Sequence, residues 1–319
     1  MRFATYDIDG HPHAGVVVGD AIHPLPPELT VLDLVHLGLP DALTVGAAAL
    51  EQPALQLDQV RLRPPLRPPT IRDFVAFEEH VEGVRKSIDG TAGVPAEWYA
   101  APTFYFSNPH ALIGAADDVV IPPGCELMDF ELEVAVVMGP AGADLSLEQA
   151  QAAVFGYTIF NDWSARDLQG REMKVGLGPA KGKDFASTLG PWLVTADEFA
   201  GRHDAEGFLP LLMMVEVNGI EVGRDLLSNM GWPFADLVAY ASIGTTLHAG
   251  DVLGSGTCGN GGCLAELWGR NGRLEPPPLR PGDVVTMTVD GIGTISNTVV
   301  AGSPAVPVRP ARPRPRTRA

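Results

Sequence analysis

Met128-Asp129-Phe130-Glu131-Leu132-Glu133-Val134-Ala135-Val136-Val137 has the apolar, β-branched run of a strand buried on both faces, yet two glutamates interrupt it. Residues two apart on a strand share a face, so Glu131 and Glu133 project to the same side, about 7 Å apart. Like charges there repel, and burying each ionised carboxylate costs several kcal/mol unless a cation or hydrogen-bond donors satisfy it. A divalent metal between the two is the simplest solution.

Many short β-type runs occur along the chain, at 119–121, 131–138, 154–160, 191–195, 211–217, 252–255, 263–268, 284–289 and 293–300. Gly, Pro and Asp separate them. Helical patterns are fewer, at 74–88, 146–153, 163–169 and 232–242, which predicts a mainly β, α+β chain with helices at its periphery. Residues 3–25 read as short strands with turns at Asp9-Gly10 and Gly19-Asp20, followed by a helix over about 32–51. The segment Leu62-Arg63-Pro64-Pro65-Leu66-Arg67-Pro68-Pro69 has the character of a stiff polyproline connector. The expected organisation is therefore a small β-rich N-terminal module (1–66), a larger domain (67–302) and a Pro/Arg-rich disordered tail (303–319). Residues 82–102, rich in Gly, Pro, Lys and aromatic side chains, suit a mobile lid.

With 319 residues, 45% of them hydrophobic, the chain can bury a substantial core. Its formal charge of -17 argues against nucleic acid or an anionic membrane surface as a partner. The one basic cluster, Arg309, Arg312, Arg314, Arg316 and Arg318, is interleaved with proline and reads as a solvated end. Three cysteines without paired spacing indicate neither a disulfide framework nor a zinc knuckle. Together with an N-terminus lacking an apolar signal core and the absence of any apolar run of about 18 residues, this predicts a cytoplasmic protein.

A second carboxylate segment is Phe160-Asn161-Asp162-Trp163-Ser164-Ala165-Arg166-Asp167-Leu168-Gln169, where an apolar strand runs into a helix. Asn161 or Asp162 can serve there as a helix N-cap. The alternative is functional, because Arg166 and Gln169 fall on one helical face and can present donors to a single point. His80, one of eight histidines, gains meaning only from its setting in Ile71-Arg72-Asp73-Phe74-Val75-Ala76-Phe77-Glu78-Glu79-His80. Late in the chain, Gly254-Ser255-Gly256-Thr257-Cys258-Gly259 is a backbone-permissive loop leading to Glu266, which stands in an apolar run read as a strand.

Asp73 with His80, Asp-Phe-Glu-Leu-Glu at 129–133, the 161–169 run, Gly182-Lys183-Asp184-Phe185, Gly190-Pro191-Trp192 and Gly291-Ile292-Gly293-Thr294-Ile295-Ser296-Asn297 together resemble the fumarylacetoacetate hydrolase family. The resemblance spans roughly residues 71–300 and implies a mixed β-roll catalytic domain. The Asp-to-His spacing of seven and the Gly-Ser-Gly-Thr loop are nearer to the fumarylacetoacetase pattern than to the smaller acylpyruvate hydrolases. Those place a Glu three residues after the histidine, where this chain has Gly83. The resemblance implies that Asp73, Glu131, Glu133 and Asp162 ligate one divalent cation, Mg²⁺, Mn²⁺ or Ca²⁺, since hard oxygen donors suit hard ions. It further implies His80 as the base for water, held by Glu266, with Arg166, Gln169 and Lys183 around the oxyanion and Tyr105 and Thr257 touching substrate. A homodimer is also a family expectation.

These implications describe cleavage of a carbon–carbon bond in a small 1,3-diketo acid, for which a metal offers an electron sink at the enolate leaving group and an imidazole activates water. Decarboxylation of a 2-oxo acid, or hydration or isomerisation of a dienoate, uses similar groups. A serine hydrolase is disfavoured because no Gly-x-Ser-x-Gly occurs, and a nucleotide-binding loop because Gly178 to Lys183 has the wrong glycine spacing. A non-enzymatic binding protein on the same fold should have lost some of these positions, and all are present.

Overall fold

The computed structural model describes residues 1–314. Its framework is a 12-stranded sheet in which Arg2–Ile8, Ser187–Thr195, Val154–Asn161, Leu132–Met138, Val252–Gly254 and Ile71–Phe74 follow one another in space, ending at the edge strand Phe104–Ser107. A five-stranded sheet built on Leu212–Val217, Val284–Val289 and Gly293–Val300 packs beside it. This is the sheet-rich α+β architecture read from the sequence.

The strand Leu132–Met138 is buried at every position, which explains why its apolar residues run on without alternation. One apolar cluster, with Val134, Val136 and Met138, lies on one face, and a second, with Ala135 and Val137, on the other. Each fully buried aliphatic side chain here contributes about 1.5–3 kcal/mol relative to exposure. That surplus is what makes several buried carboxylates tolerable in the same layer.

Register then brings the acidic positions together. Ile71–Phe74 pairs parallel to Val252–Gly254 with Asp73 opposite Gly254, and antiparallel to Phe104–Ser107 with Asp73 opposite Tyr105. On its other side Val252–Gly254 meets Leu132–Met138 with Ala135 opposite Gly254. Leu132–Met138 in turn pairs with Val154–Asn161, Leu132 facing Asn161 and Glu133 facing Phe160. Segments as far apart in sequence as Asp73 and Asp162 thus deliver their acids to one end of the sheet.

Several elements differ from the sequence reading. The run at 263–268 is not a strand but the start of the helix Leu264–Asn271, capped by Cys263 and stopped by Gly272 in the left-handed region. Leu264, Ala265 and Trp268 form its buried face, a helical spacing within an apolar run too short for periodicity alone to assign. The helix expected at 74–88 begins only at Glu78, residues Ile71–Phe74 being a strand. The one expected at 163–169 is Arg166–Met173. The helix expected over 32–51 is two, Val31–Leu37 and Leu39–Ala49, divided at Gly38 with φ 86°. Phe104–Ser107 and Ile220–Leu226 are strands that no alternation announced.

Strands before residue 66 hydrogen-bond into the same sheet as those after it, Phe3 pairing with Leu193. We propose the proline segment as the boundary between a 1–66 module and the 67–302 domain. Residues 303–314 carry neither helix nor strand and are exposed, while 315–319 of the expected tail, with Arg316 and Arg318, lie outside the described residues. Among the described residues no helix is long and apolar enough to cross a membrane.

Candidate metal centre and active site

Carboxylate oxygens of Asp73, Glu131 and Glu133 all lie within 4.8 Å of one another, and all three residues are buried. Asp162, directly after the strand Val154–Asn161, joins them through two shared partners. The Tyr105 hydroxyl bonds Asp73 Oδ2 at 2.8 Å and also Asp162 Oδ2. Lys183 Nζ pairs with Asp162 Oδ2 at 2.9 Å and with Glu131 Oε2. Asp162 Oδ1 accepts from Ser187 Oγ at 3.0 Å. The helix that follows, Arg166–Met173, has Ala165 at its N-cap with no side-chain cap bond, so the capping reading of Asn161 and Asp162 is corrected. Asn161 Oδ1 instead accepts from the Glu131 backbone N–H at 3.0 Å.

Charge is unevenly shared. Burial pushes the Asp73 carboxyl up, and the neighbouring Asp162 charge adds to this, taking it to about 7. Burial and the adjacent Asp73 carboxyl hold Glu133 well above the usual range. Glu131 is also buried, but Lys183 and Arg166 outweigh that and bring it down to about 2. Arg166 Nη2 lies 2.8 Å from Glu131 Oε1. A tyrosine hydroxyl has one proton to give, so its contact with two acids requires a proton on one of them. The cluster is short of positive charge.

The fit to a divalent cation follows from these observations. Asp73 Oδ1 is buried with no donor, and four acids face two side-chain cations, of which Arg166 is shared with Asp129 (Nε to Oδ2, 2.8 Å). Gly254 lines the same space. A Cβ there would stand 2.6 Å from Asp73 Oδ1 and 2.9 Å from Glu133 Oε2. Hard carboxylate oxygens of this number suit Mg²⁺, Mn²⁺ or Ca²⁺.

Around the acids sit the other residues singled out from the sequence. His80, on the helix Glu78–Asp89, turns Nε2 toward Glu131 Oε1 at 3.9 Å. Burial lowers its affinity for a proton to a pKa of about 4, so the ring is neutral near pH 7. Gln169 Oε1 accepts from Arg166 Nη1 at 3.0 Å. Thr257 Oγ1 reaches Glu133 Oε1 at 3.4 Å, and the Gly256 N–H donates to Glu133 Oε2 at 3.1 Å. Lys183 and Tyr105 are thus engaged with the acids themselves.

One expected contact is not made. Glu266 does not hold His80. It lies on the helix Leu264–Asn271, where its carboxylate pairs with Arg270 at 2.7 Å and accepts from the Gly261 N–H at 3.4 Å. Burial raises it to about 7 despite Arg270. His80 Nδ1 faces Cys263 Sγ at 3.6 Å instead. Position 83 is also closed, because a Cβ on Gly83 would lie 2.5 Å from Glu266 Cγ. A side chain at position 83 would require Glu266 to shift.

Two residues escaped the sequence reading. Asp129 is wholly buried, and its oxygens accept from the Leu264 and Ala265 N–H groups at 2.8 and 3.0 Å as well as from Arg166. It satisfies the first amides of the helix and fixes the guanidinium beside Glu131. A third acid in the apolar run was the available signal. Cys263 gave none, because the run that it opens has the composition of a strand.

A family model described as the fumarylacetoacetate (FAA) hydrolase C-terminal domain matches residues 70–300. The chain is 31% identical over 248 residues to an oxaloacetate tautomerase, YisK, of Bacillus subtilis, covering 76% of this chain and 74% of that protein. It is 29% identical over 283 residues to the fumarylacetoacetase of Arabidopsis thaliana, covering 74% of this chain but only 66% of the relative's length. Among solved structures, a maleylpyruvate hydrolase from Sphingobium sp. SYK-6, in complex with manganese(II) and pyruvate, superposes with a TM-score of 0.68 at 24% identity, covering 95% of this chain and all of that one. The matched span holds every acid of the cluster together with His80, Lys183 and Glu266, and the chain belongs to the fumarylacetoacetate hydrolase family.

Proposed function

We propose that the protein hydrolyses a carbon–carbon bond in a small 1,3-diketo acid of the acylpyruvate or fumarylacetoacetate kind. The observation that carries this reading is His80, a neutral imidazole whose Nε2 faces the acid cluster 3.9 Å from Glu131. Asp73, Glu131, Glu133 and Asp162 would hold a divalent cation, which supplies Lewis acidity toward the dicarbonyl oxygens. His80 Nε2 takes a proton from water, for which its uncharged state is required. The guanidinium of Arg166, oriented by Asp129 and Gln169, and the ammonium of Lys183 place positive charge where negative charge develops. Burial of the four acids, His80, Arg166 and Lys183 keeps bulk water from screening them. We further propose a cytoplasmic location, which the three free cysteines suit, and, as a family expectation, a homodimeric state.

A second reading is favoured by the separation of Glu266 from His80. With no carboxylate behind the imidazole, moving a proton between carbon and oxygen of a 2-oxo acid demands less of the base than activating water. The oxaloacetate tautomerase relative is consistent with this. Decarboxylation of a 2-oxo acid, or hydration or isomerisation of a dienoate, uses the same groups.

Acylpyruvates, fumarylacetoacetate and enol-oxaloacetate, each tested with Mn²⁺ and after EDTA, separate the readings. The hydrolase reading predicts release of a carboxylic acid product, abolished in His80→Ala while the metal stays bound. Ketonisation of oxaloacetate with no cleavage of any diketo acid would replace it by the second reading.

A further inference from the structure

We propose that Cys263 is a positioning residue that sets the tautomer and orientation of His80, a role that rests on reading His80 as the base. Its thiol is wholly buried, and Sγ makes two contacts: it accepts from the Glu266 N–H at 3.4 Å, and it meets His80 Nδ1 at 3.6 Å. The first contact is the N-cap of the helix Leu264–Asn271, so the sulfur is fixed to backbone rather than carried on a mobile side chain. Asp129 secures the two amides before it, at Leu264 and Ala265. The anchor and the imidazole therefore belong to two neighbouring rigid elements.

Those elements are tightly seated. The helix Glu78–Asp89 lies so close to Leu264–Asn271 that a Cβ on Gly269 would fall 2.0 Å from the Gly83 carbonyl oxygen, and one on Gly83 would fall 3.0 Å from Glu266 Cα. Neither helix can slide without collision, so the separation of Nδ1 and Sγ is set by packing.

The direction of the hydrogen bond decides the chemistry. With Nδ1–H donating to sulfur, Nε2 presents its lone pair to the side where Glu131 Oε1 lies 3.9 Å away. With S–H donating to Nδ1, the ring proton moves to Nε2 and the base is lost. Sulfur that already accepts one backbone N–H keeps a lone pair for a second. A thiol does here, as a neutral acceptor, what Glu266 cannot do while paired to Arg270.

The test uses the full chain with Mn²⁺, in wild type, Cys263→Ser and Cys263→Ala. Ring-nitrogen NMR of histidine-labelled protein, with the His80 signals identified by their loss in His80→Ala, reads the tautomer without any turnover. Wild type and Cys263→Ser should show a single Nδ1–H form, and Cys263→Ala a mixture or the Nε2–H form. On a turned-over acid, Cys263→Ala should lower kcat by about tenfold to a hundredfold with KM and metal content unchanged, and Cys263→Ser should restore it. An unaltered Nδ1–H signal in Cys263→Ala, or an Nε2–H form in wild type, would overturn the proposal. Should no acid be turned over, the hydrolase reading fails, while the NMR comparison still decides the part played by Cys263.

Discussion

Replacing Gly254 by alanine perturbs the acid cluster without removing any of its members. The added methyl would stand 2.6 Å from Asp73 Oδ1, 2.9 Å from Glu133 Oε2 and 3.3 Å from Phe160 Cδ1. Contacts under 3.0 Å essentially never occur at a real Cβ, so both carboxylates must move, and Tyr105 and Thr257 restrain them. Gly254 lies in a regular strand and lacks a positive φ, so alanine is compatible with the backbone and the clash is the whole effect. Overpacking of this kind costs about 1–3 kcal/mol. If that cost falls on the metal-bound arrangement, affinity for Mn²⁺ weakens by roughly fivefold to a hundredfold, a factor of ten for each ~1.4 kcal/mol. Calorimetric titration of metal-free wild type and Gly254→Ala with Mn²⁺ measures it, with circular dichroism confirming that both are folded. Equal affinity in two folded proteins would show that Asp73 and Glu133 do not converge on an ion beside this strand.

Further outcomes follow from the same geometry. Asp73, at about 7, holds a proton in the metal-free protein at pH 6 that metal must displace. Titration with Mn²⁺ in buffers of different ionisation enthalpy should therefore show proton release, with affinity rising from pH 6 to pH 8, and pH-independent affinity would contradict the assignment. The raised Asp73, Glu133 and Glu266 carboxyls hold protons in the metal-free native state that the unfolded chain lacks, outnumbering the one that buried His80 gives up, so stability should fall as pH rises from the ordinary carboxylate range to about 7. Thermal melts after EDTA, repeated with Mn²⁺, check the fall and its reversal. Asp129→Ala leaves Arg166 and two helix amides without their partner in a buried site, which should cost about 3–5 kcal/mol in urea unfolding. A loss below about 1 kcal/mol would place these donors in contact with water.

The acids could be found in the sequence because each violates its surroundings: a charged residue in an apolar strand has few explanations. The strand Leu132–Met138 was legible for the complementary reason, since a run buried on both faces needs no alternation. Pairing across the sheet was not legible. Tyr105 meets Asp73 because Phe104–Ser107 returns antiparallel beside Ile71–Phe74, and nothing local to either segment encodes that register. The helix Leu264–Asn271 was misread because Leu264-Ala265-Glu266-Leu267-Trp268 is apolar enough for a strand, and only the cap at Cys263 and the stop at Gly272 settle it. That error moved Glu266 onto the wrong element and hid the contact between Cys263 and His80. The part played by Asp129 was hidden by distance, its partners at Leu264 and Ala265 lying far along the chain.

In the function proposed above, Asp73, Glu131 and Glu133, with Asp162, bind one divalent cation. Elemental analysis of protein dialysed against Mn²⁺, wild type beside Glu131→Ala, tests it most directly. One manganese per wild-type chain and near-total loss in the variant is the predicted result. Equal manganese in both proteins, or none in a folded wild type, would contradict it.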